Sequence, residues 1–296
     1  MNDVNINVEN VSAVEIDYTN LEVQIDRNPN TDNNTLGYTY IYSMKDDNSF
    51  EIGDVKERWV LFNNDNVSQK ALSLSPTDEL TFSNDYKSCT IKTTIDSSSS
   101  FTRAYSADGN LTQIVINNKT VDLTGCTLEY KKADGSALDE NSTISEIGKF
   151  VVTKAKTSTE PGYVYPYTKA GNIESCTVNF TNGTSQTFNN EETVVFNKNT
   201  AGTAIESVTV TEKDFAISYT YNTTGTKTGM KIGNSVIDIE GATVGNIDKT
   251  TTPNTISVTR AATDSKKGYN IKYNTTTGEV VSGTVSTKAG KSVTLS

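Results

Sequence analysis

Polar and apolar residues alternate with a period of two along most of this chain. Three such runs fall in the first 25 residues: Val4, Ile6 and Val8, then Val14, Ile16 and Tyr18, then Leu21, Val23 and Ile25. Because successive side chains of a strand point to opposite faces of a sheet, these runs predict β-strands with one buried face. Apolar residues at helical spacing are absent, so we expect at most one helical turn, near residues 73–79.

A tyrosine-rich strand occurs three times. The motif GYTYIY at residues 37–42 recurs as GYVYPY at 162–167 and as GYNIKY at 268–273. In a strand, the alternate tyrosines of each copy share one face, where they either cover the sheet or form a flat sugar-binding surface. We favour the structural role. Pro166 cannot donate a ladder hydrogen bond, which places this strand at a sheet edge or a bulge.

Other segments repeat in step with this motif. Residues 109–127 match 225–243, residues 175–178 match 282–285, residues 79–82 and 88–91 resemble 193–196 and 207–210, and Phe62-Asn63-Asn64 resembles Phe188-Asn189-Asn190. Internal repetition at this scale indicates tandem units. We predict an acidic N-terminal β unit at 1–77, a middle immunoglobulin-like β unit at 78–190 and a C-terminal immunoglobulin-like β unit at 191–296.

The turn residues favour antiparallel pairing throughout. Asp108-Gly109, Asp134-Gly135 and Asn182-Gly183 each stand between alternating runs, and such pairs favour the positive φ angles of two-residue hairpin turns. Many short strands at regular spacing are typical of sandwiches. The predicted fold class is therefore all-β, with three tandem immunoglobulin-like antiparallel β-sandwich units and very little helix.

The charge of the chain is acidic and unevenly distributed. The net charge is −10, and residues 1–77 carry 13 acidic and 5 basic side chains, whereas residues 191–296 carry 10 acidic and 11 basic ones. An acidic chain is a poor nucleic-acid binder, since that affinity depends on clustered Lys and Arg. The gradient suits head-to-tail contacts or docking of one terminal unit on a charged scaffold. No apolar run is long enough to span a membrane, and the N-terminus lacks the pattern of a signal peptide, so we expect folding in the cytoplasm.

The residues available for chemistry exclude several classes of site. The chain has no histidine, so histidine-based acid–base catalysis and histidine-ligated metals are excluded. The acidic pairs Asp46-Asp47, Asp139-Glu140 and Glu191-Glu192 fall in turn-like contexts, and Asp65, Asp108, Asp134 and Asp139 do not form a twelve-residue calcium loop. We expect no catalytic residues, no metal site and no cofactor. The three cysteines, Cys89, Cys126 and Cys176, are expected to be buried free thiols.

Aromatic residues of the first unit are the candidates for an interface. Trp59 is the only tryptophan, and it is either the core plug of this unit or an interface anchor; we favour the core plug. Tyr38, Tyr40 and Tyr42 complete the candidate set.

A resemblance to a known family gives these features a function. The run VDLTGCTLEYKKADG at residues 121–135, followed by SEIGKFVVT at 145–153, resembles bacterial and phage immunoglobulin-like modules, in which a strand, an Asp-Gly hairpin and a later Gly-x-aromatic-x-Val strand recur. The resemblance extends to the auxiliary, or decoration, proteins of tailed bacteriophages. It implies a non-enzymatic virion protein that binds the major capsid protein or another virion protein through one terminal unit, associates with itself, and contacts host glycans weakly.

Two alternatives remain at this point. One is a bacterial cell-surface adhesion or glycan-binding immunoglobulin-like module, and the other is a carbohydrate enzyme that uses carboxylates. Neither nucleic acid nor a membrane is expected as a partner.

Overall fold

The computed structural model describes residues 11–30, 32–45, 52–63, 71–75, 77–263, 266–286 and 291–295. The described part of the chain is all-β, with five antiparallel sheets of five strands each. Helical structure among the described residues is limited to one turn of 3₁₀ helix at Ile144–Glu146. The helical turn expected near residues 73–79 is not found in the described part of that segment, which leaves β5 through a turn at Thr77. The strand predicted around Val4, Ile6 and Val8 lies outside the described residues.

The strands follow the chain in order. Sheet 1 contains β1 (Ala13–Asp17), β2 (Glu22–Arg27), β3 (Gly37–Met44), β4 (Ile52–Leu61) and β5 (Ala71–Ser73). Sheet 2 contains β6 (Glu79–Phe82), β7 (Ser88–Asp96), β8 (Ser99–Ser106), β9 (Leu111–Ile116) and β10 (Lys119–Asp122). Sheet 3 contains β11 (Thr127–Lys131), β12 (Lys149–Lys154), β13 (Gly162–Thr168), β14 (Ser175–Asn179) and β15 (Ser185–Asn189). Sheet 4 contains β16 (Glu192–Lys198), β17 (Ile205–Glu212), β18 (Ile217–Asn222), β19 (Lys227–Ile232) and β20 (Ser235–Ile237). Sheet 5 contains β21 (Thr243–Asp248), β22 (Thr255–Arg260), β23 (Gly268–Asn274), β24 (Val280–Ser286) and β25 (Ser292–Leu295).

Every sheet is a meander in which each strand pairs with the next strand along the chain. Immunoglobulin sandwiches connect their two sheets by Greek-key crossovers, which a meander lacks. The antiparallel all-β prediction is confirmed, whereas the count of three immunoglobulin-like units is not.

The tyrosine-motif strands β3, β13 and β23 are the central strands of sheets 1, 3 and 5. The prediction of an edge position was therefore wrong. Pro166 is tolerated because it follows the β13–β14 pairs that run from Gly162 to Val164, and its carbonyl still accepts a hydrogen bond from the backbone N–H of Glu174 at 2.9 Å.

The glycine that opens each motif is required for the same reason in all three copies. A Cβ atom at Gly37 would lie 2.3 Å from the carbonyl oxygen of Arg27, and one at Gly162 would lie 2.4 Å from that of Lys154. At Gly268 the nearest atom would be the backbone nitrogen of Ala262, at 2.6 Å. In each copy, the chain leaving the preceding strand passes too close for a side chain.

The chain divides into two compact units, one formed by residues 1–150 and 167–172 and the other by 151–166 and 173–296. In the first unit, sheet 1 packs on sheet 2 through a core that includes Val60, Phe62, Cys89 and Ile91. In the second, residues of sheets 3, 4 and 5 share one core, which includes Val178, Val208 and Val258. The predicted boundaries after residues 77 and 190 fall in connections between sheets, and the three-domain organisation itself stays a prediction.

Equivalent contacts recur in the two units. Within the first unit the ring of Phe62, just after β4, packs on Gly109, where an added Cβ would lie 2.8 Å from Cγ. Within the second, Phe180, just after β14, packs on Gly225 in the same way, with an added Cβ 2.7 Å from Cδ2. Phe62 therefore corresponds to Phe180. The sequence match of Phe62 to Phe188 was wrong, since Phe188 lies inside β15 opposite Cys176.

The other predicted repeats agree with the strand register. Phe82 pairs with Cys89 as Phe196 pairs with Val208, and Thr177 pairs with Thr187 as Thr284 pairs with Thr294. The predicted match of Gly183 to Gly290 lies outside the described residues.

The three predicted turns are hairpins, but with three-residue loops. Gly109, Gly135 and Gly183 have φ angles of +75°, +91° and +90°. In the first, the N–H of Gly109 donates to the carbonyl of Ser106, and the N–H of Ser106 donates to the carbonyl of Asn110, both at 3.0 Å. This is a type I turn that ends in a left-handed glycine, so one more residue is needed than in the two-residue loop predicted.

Candidate interaction surface

Tyr38, Tyr40 and Tyr42 lie on the inner face of sheet 1. Their rings form a continuous row, with centroids 5.2 Å apart for the first pair and 6.2 Å apart for the second. All three pack on the core formed by Val23 and its neighbours. Burial raises the pKa of Tyr40 to about 12 and raises the pKa values of Tyr38 and Tyr42. These tyrosines are thus mainly engaged in packing sheet 1.

Trp59 lies on the opposite, outer face of the same sheet. Its neighbour Val60 is fully buried in the core, and strand alternation therefore turns Trp59 outward, between Thr39 and Ser73. The side chain is half-buried, and its Nε1–H donates to Oε2 of Glu57 at 3.3 Å. The core-plug prediction was wrong, because Val60 and Phe62 already fill the inner face of this strand.

The structure thus does not bring the four predicted interface residues together. The tyrosines face the core and Trp59 faces away from it, so the four side chains do not form one binding surface. Whether they form an interface stays a prediction.

Acidic side chains share this outer face with Trp59. The register of β1 to β4 places five carboxylates there: Glu15, Asp17, Glu22, Asp26 and Glu57. Lys56 is held against them, with its Nζ 2.7 Å from Oε1 of Glu22. We call this set of five carboxylates with Trp59 the acidic face.

Hydrogen bonds hold part of the acidic face in place. Asp26 accepts from Thr39 Oγ1 at 2.6 Å and from Gln24 Nε2 at 2.7 Å. Asp17 stands opposite Glu22, an arrangement of like charges that costs free energy when both are ionised. The pKa of Asp17 is lowered chiefly by the backbone N–H of Asn20, which keeps this carboxylate charged.

An arrangement of this kind is suited to binding a basic surface. Carboxylates at fixed positions accept charge-assisted hydrogen bonds from Lys and Arg, and a half-buried tryptophan offers both apolar area and a cation–π partner. Sequence reasoning found Trp59 and the excess acidic charge of this segment. It missed their juxtaposition, which depends on the pairing of β2, β3 and β4.

The other candidate chemistry is dispersed. Cys89 and Cys176 are buried, and burial raises their pKa values to about 12 and about 11. Cys126 is only half-buried, because it lies in the turn before β11 with Sγ 3.7 Å from the carbonyl oxygen of Thr124. None of the three cysteines forms a disulfide, and the predicted burial holds for Cys89 and Cys176 but not for Cys126.

Two of the acidic pairs lie where turns or strand ends use them, and the third, Asp46-Asp47, lies outside the described residues. Asp139 accepts hydrogen bonds from Asn141 and Ser142, and Glu192 accepts one from the backbone of Asn189. Among the described residues no group of three His, Cys, Asp or Glu side chains is placed to hold a metal ion. No helix in the described ranges is long and apolar enough to cross a membrane.

An open groove of about 510 Å³ lies at one end of sheet 2. It is lined by Lys92, Thr94, residues 96–100, Asn117 and Asn118. Asp96 is already engaged by Ser98 and by Lys169, whose ammonium holds the pKa of this carboxyl far below its usual range. No aromatic ring lines the groove, so it lacks the stacking platform that protein–sugar contacts commonly use.

The chain matches no protein-family model, and a search of curated proteins finds no relative.

Proposed function

We propose that this protein is a non-enzymatic structural component of a bacteriophage particle, an auxiliary or decoration protein of the capsid or tail. It is made in the host cytoplasm and binds the major capsid protein or another virion protein. The contact is made by the predicted N-terminal unit, residues 1–77, through the acidic face that includes Trp59.

The acidic face is the observation that supports this proposal. Like charges close together on a sheet cost free energy, yet five carboxylates share one face of sheet 1 with Trp59. Charge of one sign guides a partner of opposite charge during association, and the aromatic side chain of Trp59 supplies short-range binding energy.

The modular organisation belongs to the same proposal. Three units at 1–77, 78–190 and 191–296, related to immunoglobulin-like modules, would place one adhesive unit at the end of a repeated scaffold. The Asp134-Gly135 hairpin supports it, and so does the matched register of the last two units, where Phe82 pairs with Cys89 as Phe196 pairs with Val208.

The alternative is a bacterial cell-surface adhesion or glycan-binding module. Its discriminating feature is the bound object, which would be a cell envelope or glycan and not an assembled particle.

Co-sedimentation tests the proposal. Purified full-length protein is mixed with assembled phage particles from the native source, and separately with host cells and with immobilised host glycans. We expect saturable binding to the particles that weakens as salt is added, since the contact is electrostatic. Binding to cells or glycans without binding to particles would replace the proposal with the alternative.

A further inference from the structure

The inner face of sheet 5 is only partly covered at its last two strands by the described part of the chain. Val293 is 65% exposed, and no described residue of β24 or β25 is buried. The core of the second unit takes its sheet 5 members from β21, β22 and β23 alone.

The corresponding half of sheet 3 shows what covers such a face. Val178 pairs with Gln186 and Cys176 with Phe188, just as Val285 pairs with Val293 and Gly283 with Leu295. In sheet 3 the side chains of Cys176, Val178 and Phe188 are 3%, 0% and 2% exposed. They are covered by sheet 4, whose Tyr221 ring lies 5.9 Å from that of Phe188. A second β-sheet is thus the natural cover for this face.

Two inner-face residues of β1, the first strand of sheet 1, are exposed. Val14 and Ile16 are 53% and 41% exposed, although they pair with Ile25 and Val23, which are buried. In sheet 5 the apolar residues of the first strand, Val244 and Ile247, pack into the core shared with sheet 4. Sheet 1 therefore presents an apolar strip of the kind that sheet 5 buries.

We propose that these two faces bind each other between two copies of the protein, with β24 and β25 of one copy against β1 of the next. Each is an apolar β-surface, and the corresponding surface elsewhere in the chain is covered by another sheet. The charges favour this pairing over a symmetric one, since residues 1–77 carry a net charge of −8 and residues 191–296 carry +1. Two copies joined through sheet 1 would bring their acidic units together.

A contact between two different faces is heterologous, so each copy retains one free face of each kind. Association then continues to rings or chains and does not stop at a dimer. The acidic face lies on the other side of sheet 1, so this contact stands independently of particle binding.

Two variants and their mixture test the pairing. Val14→Glu and Val293→Glu each place a charge at an exposed position, where neither should disturb folding, and Val236→Glu, at a valine of β20 that is 74% exposed, is the control. Mass is measured by sedimentation over a range of concentrations, and circular dichroism checks that every variant is folded.

We expect the mass of the wild type and of the control to rise with concentration beyond that of a dimer. Each single variant should associate about tenfold more weakly or not at all, because a charge would be buried in the contact. An equal mixture of the two variants should form dimers and nothing larger, since one copy supplies an intact sheet 5 face and the other an intact sheet 1 face. A monomeric wild type, full association of either single variant, or a mixture without dimers would overturn the proposal.

Discussion

The rings of Tyr163 and Phe196 lie with their centroids 4.6 Å apart, and this contact joins sheet 3 to sheet 4. The first copy of the motif makes the same contact, with Tyr38 5.7 Å from Phe82 of sheet 2. In these two copies the first tyrosine of the motif packs its own sheet against the sheet that follows. In the third copy Tyr269 instead donates a hydrogen bond from its hydroxyl to the carbonyl of Asp238 at 2.5 Å, and its ring lies under Arg260.

Replacing Phe196 by alanine should weaken the second unit. The change removes the contact with Tyr163 and a second one with Tyr165, at 6.3 Å, and leaves a gap between two sheets. We expect a loss of about 2–4 kcal/mol in the free energy of unfolding, measured with urea. Val195→Ala, at the neighbouring exposed position of β16, is the matched control and should cost about 0.5 kcal/mol or less. Equal losses for the two variants would show that the aromatic contact does not stabilise the unit.

Gly109→Ala should destabilise the first unit more than Gly125→Ala does. Both glycines have positive φ angles, +75° and +69°, so both variants incur the cost of a left-handed alanine, about 1 kcal/mol. Only at Gly109 would the new methyl group also meet the ring of Phe62, whereas nothing lies within 4 Å at Gly125. We expect a further loss of about 1–3 kcal/mol at Gly109, measured by urea unfolding.

A double variant separates the clash from the backbone cost. The double variant Gly109→Ala, Phe62→Leu should lose less free energy of unfolding than the two single variants added together. The smaller side chain makes room for the methyl group. Strict additivity of the two changes would contradict the proposed contact.

Glu212→Gln should stabilise the protein at neutral pH. Burial, and then the charge of Glu192 directly opposite on β16, raise the pKa of Glu212 above its ordinary value of 4.5. A carboxyl with a raised pKa in the folded state favours folding when protonated, and this contribution is lost as the pH rises through that pKa. The variant should therefore melt at a higher temperature than the wild type at pH 7, and the difference should vanish below pH 4.5.

The matched control is Glu206→Gln, at an exposed position of β17. It should leave the pH dependence of the melting temperature unchanged. A Glu212→Gln variant whose advantage persists unchanged at low pH would show that repulsion between the two glutamates is not the cause.

The strands and much of the repeat follow from the sequence because both depend on local alternation. Leu80 and Phe82 correspond to Val194 and Phe196 in sequence and also in strand pairing, since each apolar residue must keep its face. The position of Pro166 could not be inferred in this way. The backbone N–H that Pro166 lacks matters only where the neighbouring strand has an acceptor for it. This depends on where the pairing of β13 with β14 ends.

The acidic face could not be predicted from local sequence patterns for a similar reason. Trp59 reads as a core residue within an apolar run, and its outward direction is decided by Val60 filling the inner face. The carboxylates of β1 and β2 reach the same face only through pairing with β3 and β4, which no short-range pattern specifies.

The most direct test of the proposed function is the occupancy of assembled phage particles by a variant of the acidic face. Glu57→Lys combined with Trp59→Ser removes the aromatic side chain and reverses its neighbouring charge, while Val236→Ser alters an exposed valine of sheet 4. Occupancy is measured by co-sedimentation at fixed salt, with thermal unfolding as the check on folding. The account predicts that the double variant binds at least about tenfold more weakly and that the control binds as the wild type does. A folded double variant with undiminished occupancy would contradict it.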